Sequence, residues 1–290
     1  MSKGAELREK VARSGLVHLM AASNPLTALI AEEAGFDGIW ASGFEFSALL
    51  GLPDVSLVSM AQHLEMLRQV AARAAIPVIA DIDTGFGNAL NVMHAIREYE
   101  RAGAAGVVIE DKTFPKVTSL IEKGRQDLVR VEEFQGKIEA ALAARADPGF
   151  LVIARVEALI AGLGQQEAAR RAVAYVEAGA DMILIHSKEP SPDEVERFVR
   201  AWSGAVPLVI VPTSYPMLDE PRIRALGKIG MVIYGNHAIR AAVAAMQEVF
   251  AAIRRDGGTA GVEGRIAPVG EIFRLQGMQM VNADEARFLR

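Results

Sequence analysis

The chain of 290 residues contains no cysteine. Disulfides, thiolate metal centres and cysteine nucleophiles are therefore excluded, and any chemistry has to come from oxygen and nitrogen side chains. The net charge is −5 and no basic tract is present. Binding to a phosphate backbone needs clustered Lys and Arg, so nucleic acid is not an expected partner. No apolar run approaches the roughly 20 residues that span a bilayer, so no membrane partner is expected either. The N-terminal MSKGAELREK lacks the apolar core of a signal peptide, which makes the cytoplasm the expected compartment. There is no linker, no low-complexity segment, and no glycine-rich dinucleotide fingerprint after the first apolar run.

Hydrophobic residues make up 51% of the chain and charged residues 23%. That is enough for a large core at an ordinary globular charge content. Eight short apolar runs recur: Leu16–Ala21, Gly38–Ala41, Val78–Ile82, Gly106–Ile109, Phe150–Val156, Met182–Ile185, Pro207–Val211 and Met231–Tyr234. Each is near-continuous rather than alternating, as in strands covered on both faces. The segments between them have helical periodicity; in 57–74, Met60, Leu64, Leu67 and Val70 share a face. Gly35, Gly103 and Gly179 follow such segments where a helix would stop. Strand, loop, helix, glycine, repeated eight times, predicts a (β/α)8 TIM barrel. An open doubly wound sheet is the competitor, disfavoured because polar residues gather after many strands and not at one switch point. A single domain, 1–290, is expected, with an appendage from about 254. There Val269–Met280 reads as partly helical and Asp284–Leu289 as a last short helix.

In a barrel the chemistry sits at the C-terminal strand ends. Those ends carry Trp40, Ser42, Gly43 and Phe44 after the second run, and Asp81 and Asp83 at the third. Glu110 ends the fourth, Arg155 and Glu157 the fifth, His186 the sixth, Thr213 and Ser214 the seventh, and Asn236 the eighth. Asp81 and Asp83 are two apart, hence on one face of a strand. With Glu110 they make three acids on adjacent strands, whose mutual repulsion a divalent ion would relieve. Magnesium is expected, with Mn2+ or Co2+ able to take its place. Glu110–Asp111–Lys112 are three consecutive charges and should bring the fourth strand to the surface. A mobile lid is expected to follow, over about 112–123, carrying Lys112, Lys116, Thr118 and Ser119 around Pro115. Arg155 offers fixed positive charge to an anionic substrate. Backbone N–H groups of Ser42–Gly43–Phe44 could face developing negative charge. Asp54 lies in a loop that starts at the same site. Of the five histidines only His186 stands at a strand end; His18, His63, His94 and His237 read as structural.

The stretches WASGFEFSALLGLPD, ADIDTGFGN, EDKTFPKVTSL, RVEALIAG and YGNHAIRA together resemble the phosphoenolpyruvate mutase/isocitrate lyase superfamily, from about Leu16 to Met246. The resemblance implies a magnesium-dependent barrel acting on 2-oxo acids through an enolate. It also implies a homotetramer whose eighth helix is swapped between partner subunits. Lyases of the superfamily carry a catalytic cysteine in the lid, which is missing here. Mutase lids carry Asn where this chain has Thr118. That departure points to hydrolysis of the C–P bond of a small 2-oxo-acid phosphonate, 3-phosphonopyruvate. A mutase, and a hydrolase or decarboxylase of oxaloacetate, are the alternatives; a non-catalytic 2-oxo-acid-binding barrel is a distant one. The implied metal ligands are Asp81, Asp83 and Glu110. The implied substrate contacts are Trp40, Ser42, Gly43, Phe44, Asp81 and Ser119, with Asp54, Lys116, Thr118, Arg155 and His186 in the reaction itself.

Overall fold

The computed structural model describes residues 1–121 and 124–289. The chain opens with α1 (Lys3–Ser14), β1 (Val17–Ala21), α2 (Pro25–Glu33), β2 (Gly38–Ala41), α3 (Gly43–Leu49), α4 (Met60–Arg73) and β3 (Val78–Asp81). It continues through α5 (Ala89–Arg101), β4 (Gly106–Glu110), α6 (Val131–Ala144), β5 (Leu151–Val156), α7 (Gly164–Glu177) and β6 (Met182–Ile185). Then come α8 (Asp193–Ala201), β7 (Leu208–Ile210), α9 (Glu220–Leu226) and β8 (Ile229–Tyr234). The strands pair in parallel in chain order and β8 closes on β1. The architecture is the expected (β/α)8 barrel, and the open sheet is excluded.

Two apolar layers hold it. Alternate strand residues face inward, among them Leu19, Trp40, Ile79, Val108, Ile153, Leu184, Val209 and Ile233, and Leu7 of α1 joins this interior cluster. Their outward neighbours, such as Ile39, Ala80, Val107, Val152 and Ile183, pack with the helices. Both faces of each strand are thus dry, which is why the runs are continuous rather than alternating. Gly35, Gly103 and Gly179 have φ of 86°, 93° and 98°, a region that favours glycine, and they end α2, α5 and α7 as expected.

The charged triplet behaves differently from expectation. Glu110, Asp111 and Lys112 do not surface; they are 2%, 0% and 1% exposed. Burial is tolerated because each charge meets a partner. Alternation sends Asp111 outward into the helix layer. There Arg171 Nη1 donates to its Oδ2 at 3.0 Å and Tyr175 Oη at 2.7 Å, while Glu157 N donates to Oδ1 at 2.9 Å. Glu110 and Lys112 meet charged groups on the inner face.

The chain divides into two compact units, 1–237 and 238–290. The second contains most of α10 (His237–Asp256), then α11 (Val269–Gln276) and α12 (Met278–Phe288). The last helix therefore begins at Met278, not Asp284. Gly277, at φ 76°, stops α11 and breaks the segment there. No helix among the described residues is long and apolar enough to cross a membrane.

Removing Arg171 would leave the Asp111 carboxylate buried without its ion pair. Arg171→Met should cost about 3–5 kcal/mol of stability, measured by urea unfolding followed by circular dichroism. A loss under about 1 kcal/mol would mean that Tyr175 and the backbone suffice to hold the charge.

Candidate active site

The inward column of the barrel changes character in one step at its C-terminal end. Two residues beyond Trp40, Ile79, Val108, Ile153 and Leu184 stand Ser42, Asp81, Glu110, Arg155 and His186. By strand alternation each occupies the next inward layer. Glu110 is the register partner of Arg155 across β4 and β5. The polar layer is thus a direct extension of the apolar one beneath it.

The loop after β4 folds over this layer. Its base is a short antiparallel pairing, with Thr113 N donating to Asp127 O at 3.0 Å and Val129 N to Asp111 O at 2.9 Å. Lys112 Nζ donates to Val117 O (2.9 Å) and Ser119 Oγ (2.6 Å) and pairs with Glu157 Oε2 at 3.1 Å. Ser119 Oγ donates to Glu157 Oε2 at 2.6 Å and accepts from Arg155 Nη2 at 2.9 Å. One hydroxyl thereby uses its donor and both its acceptor positions. In the segment expected to be a mobile lid, Lys112, Lys116 and Ser119 are at 5% exposure or less, while Phe114, Leu120 and Ile121 are exposed. The first three are buried because they find partners on the strand ends. Lys123, which the expected lid included, lies outside the described residues.

Glu157 organises the cationic side. Besides Lys112 and Ser119 it accepts from Arg155 Nε and lies 3.4 Å from His186 Nδ1. Burial alone would raise its pKa, but Arg155 and Lys112 outweigh that and hold it well below the usual range. Burial, followed by the Arg155 charge, lowers the His186 pKa, so the ring is neutral near pH 7. Arg155 Nη2 lies 2.9 Å from His186 Nδ1. A guanidinium can only donate, so Nδ1 accepts and the ring proton sits on Nε2.

The acidic side is held by Lys116. Its Nζ lies 3.0 Å from Asp54 Oδ1 and 2.8 Å from Asp83 Oδ1. Burial opposes the ammonium charge, but Asp83, Asp54 and Glu110 together raise the Lys116 pKa well above its usual value. Ser56 Oγ donates to Asp83 Oδ2 at 3.2 Å and accepts from Lys116 N at 3.2 Å. Asp81 accepts only weak backbone bonds, from Asp83 N at 3.2 Å and Gly43 N at 3.4 Å. Its pKa is pushed up to about 6, chiefly by burial. Burial likewise pushes Glu110 up to about 7, against Arg155 and Lys112, and Glu110 Oε1 is buried with no hydrogen-bond partner. Buried carboxylates this poorly compensated suit a hard cation.

The three expected ligands, Asp81, Asp83 and Glu110, are not gathered side by side. Among the described residues no three His, Cys, Asp or Glu side chains come together as a ready metal cage. Asp83 does not share a strand face with Asp81. β3 ends at Asp81, and Asp83 sits in a turn at φ 50°. Both carboxylates nevertheless approach the same point, within 3.3–3.4 Å of where a Cβ on Gly43 would lie. Glu110 is covered by Arg155 Nε at 3.5 Å and does not line the cavity. Magnesium keeps several waters and needs only one or two protein carboxylates. Asp81 fits that role without a cage.

A cavity of about 60 Å3 gathers Trp40, Ser42, Phe44, Asp54, Asp81, Lys116, Thr118, Ser119, Arg155 and His186. Gly43 and Asp83 line a smaller neighbouring space. Sequence reading assigned no role to Glu157, although it stands two residues past Arg155 and so faces inward. It also noted Thr213 and Asn236 as strand ends without giving them a role. Both line the cavity, and Thr213 Oγ1 and Asn236 Oδ1 are buried without partners. Leu120, Val211 and Gly235 complete the wall; only position after a strand could have found them.

The family model of phosphoenolpyruvate phosphomutase matches residues 7–254, and the chain belongs to that family. Within it, the chain is 61% identical over 290 residues, all of both chains, to phosphonopyruvate hydrolase from Variovorax sp. (strain Pal2). It is 43% identical over 287 residues to phosphoenolpyruvate phosphomutase from Tetrahymena pyriformis, covering 99% of this chain and 95% of that one. The crystal structure of a phosphonopyruvate hydrolase in complex with oxalate and Mg2+ superimposes with a TM-score of 0.94 at 60% identity, covering both chains fully.

Asp81 and Glu110, with pKa values raised to about 6 and about 7, favour their protonated forms in the fold. Without metal, their contribution to stability falls as pH rises from the ordinary carboxylate range through 6–7. A cation binds the ionised form and opposes that fall. The gain in Tm on adding Mg2+ should therefore be small at pH 5.5 and clearly larger at pH 7.5, by scanning calorimetry. Asp81→Asn should remove most of the gain; a pH-independent gain would contradict the assignment.

Proposed function

We propose that this chain hydrolyses the C–P bond of 3-phosphonopyruvate to pyruvate and phosphate, with Mg2+ as cofactor and Asp81 as its main protein anchor. The observation that carries the reading is the mixed lining of the cavity. A buried, weakly compensated carboxylate, Asp81, shares it with Lys116, Arg155 and neutral His186. A substrate with a 2-oxo acid at one end and a phosphonate at the other matches that lining. When bound, the ion supplies fixed positive charge beside the 2-oxo group.

The chain's own groups do the rest. The N–H groups of Gly43 and Phe44 begin α3, where N–H donors have no partner within the helix. They face the oxygen that gains charge as the C–P electrons move into the enolate. The departing phosphoryl group is metaphosphate-like and needs positioning and positive charge more than covalent help. Lys116 and Arg155 supply both, and the Nε2–H of His186 adds a positioning contact. Thr118 is tied to the lid by its carbonyl, which accepts from Gln126 Nε2 at 3.1 Å. Its hydroxyl is therefore available to orient water, since it can donate and accept. Asp54, held by Lys116, is the acceptor for the water's proton, and the enolate takes a proton from solvent at its methylene carbon to give pyruvate. Thr213 and Asn236 offer further polar contacts to substrate.

We also propose a cytoplasmic homotetramer with α10 exchanged between subunits. Val243, Met246 and Phe250 share one face of α10 and are 42%, 43% and 64% exposed, an apolar stripe that a second copy would cover. Sedimentation should give about four times the 31.1 kDa chain mass; a species near one chain mass at micromolar concentration would contradict it.

Phosphate release should be seen with phosphonopyruvate and be far weaker with phosphoenolpyruvate, and consumption of oxaloacetate should be far slower. Thr118→Asn should lower kcat/KM for phosphate release at least tenfold, about 1.4 kcal/mol, with little change in inhibition by oxalate, which has no phosphoryl group. Unchanged hydrolysis would return the mutase reading.

A further inference from the structure

Beneath the acidic side lies a polar pair that the reaction does not use. His63 of α4 is 3% exposed, and its Nδ1 is 2.7 Å from the hydroxyl of Tyr99 on α5, which is fully buried. The His63 ring lies 4.4 Å from the Phe46 ring of α3, tilted by 58°. The Tyr99 ring stacks on Phe86 at 6.3 Å and 14°. Phe86 belongs to the turn that carries Asp83. In that turn Asp83, Gly85, Phe86 and Gly87 all have positive φ, at 50°, 85°, 61° and 147°. Two non-glycine residues in that region persist only where the surroundings hold them.

The other edge of His63 faces the carboxylates. With Gly43, Ser56, Asp54, Asp81 and Asp83 it lines a cavity of about 10 Å3, room for about one water molecule. His63 Nε2 is buried with no hydrogen-bond partner. Phe46, His63, Tyr99 and Phe86 therefore form a continuous bridge from α3, whose first residue Gly43 touches Asp81, to the turn that sets Asp83. A polar pair in an otherwise apolar layer specifies one arrangement, because any shift breaks its hydrogen bond without replacement by water.

We propose that the His63–Tyr99 pair is a positioning element for the acidic turn, holding Asp83 and the start of α3 in the arrangement that sets the site's affinity for its divalent ion. This rests on the reading of Asp81 as the metal anchor. The test is Mn2+ binding to the metal-free, full-length protein, followed by electron paramagnetic resonance. Tyr99→Phe keeps the ring stack and removes only the hydroxyl; His63→Leu removes the other partner. Each should weaken Mn2+ binding about tenfold, and the double variant should be no weaker than either single one. At saturating metal, kcat and the substrate KM should stay within about twofold of the parent enzyme. Unchanged Mn2+ affinity in Tyr99→Phe, or fully additive losses in the double variant, would overturn the proposal. Parent-like Mn2+ binding in Asp81→Ala would instead overturn the metal reading beneath it.

Discussion

Charge without water is the constraint on which the top of this barrel depends. Glu110, Asp111, Lys112, Lys116 and Glu157 are all nearly inaccessible, and none could remain ionised alone. The fold answers with pairing across strands and loop. Glu157 takes Arg155 and Lys112, Asp111 takes Arg171, and Lys116 takes Asp54 and Asp83. The lid is part of this arrangement, since Ser119 joins Lys112, Glu157 and Arg155 through one hydroxyl. The fold of the loop and the pairing of the buried charges depend on the same contacts.

The compensation is deliberately uneven. Around Glu157 the cations outweigh burial, and its pKa falls. Around Asp81 burial outweighs the cations, and its pKa rises. Two carboxylates a few residues past the same apolar layer are thereby given different tasks: one fixes the guanidinium that sets the histidine tautomer, the other waits for a cation. Their environments, not their chemistry, separate them.

The barrel was legible in the sequence because its signal is local. Eight continuous apolar runs report strands dry on both faces, and Gly35, Gly103 and Gly179 stand where helices must stop. Most of the cavity was legible for a related reason: Asp81, Arg155 and His186 stand at strand ends, and alternation turns them inward. Reading the charged triplet as a surface failed, because burial of Asp111 depends on Arg171, 60 residues later in the chain. The reading of Asp81 and Asp83 as strand neighbours failed for a smaller reason. The strand stops at Asp81, and a left-handed turn brings Asp83 round to the same point.

The sequence by itself determined the strand and helix pattern, the inward or outward sense of each strand residue, and the oxygen-and-nitrogen chemistry of the site. These follow from neighbours within a few residues, through the two-residue and 3.6-residue periods. Tertiary structure decided which charges are buried, which are neutralised, and which histidine faces which carboxylate. Those depend on distances of 2.6–3.5 Å between groups separated by tens of residues, such as Ser119 and Glu157 or His63 and Tyr99. Electrostatic energy in a dry interior changes steeply over such distances, and no local pattern in the chain records them.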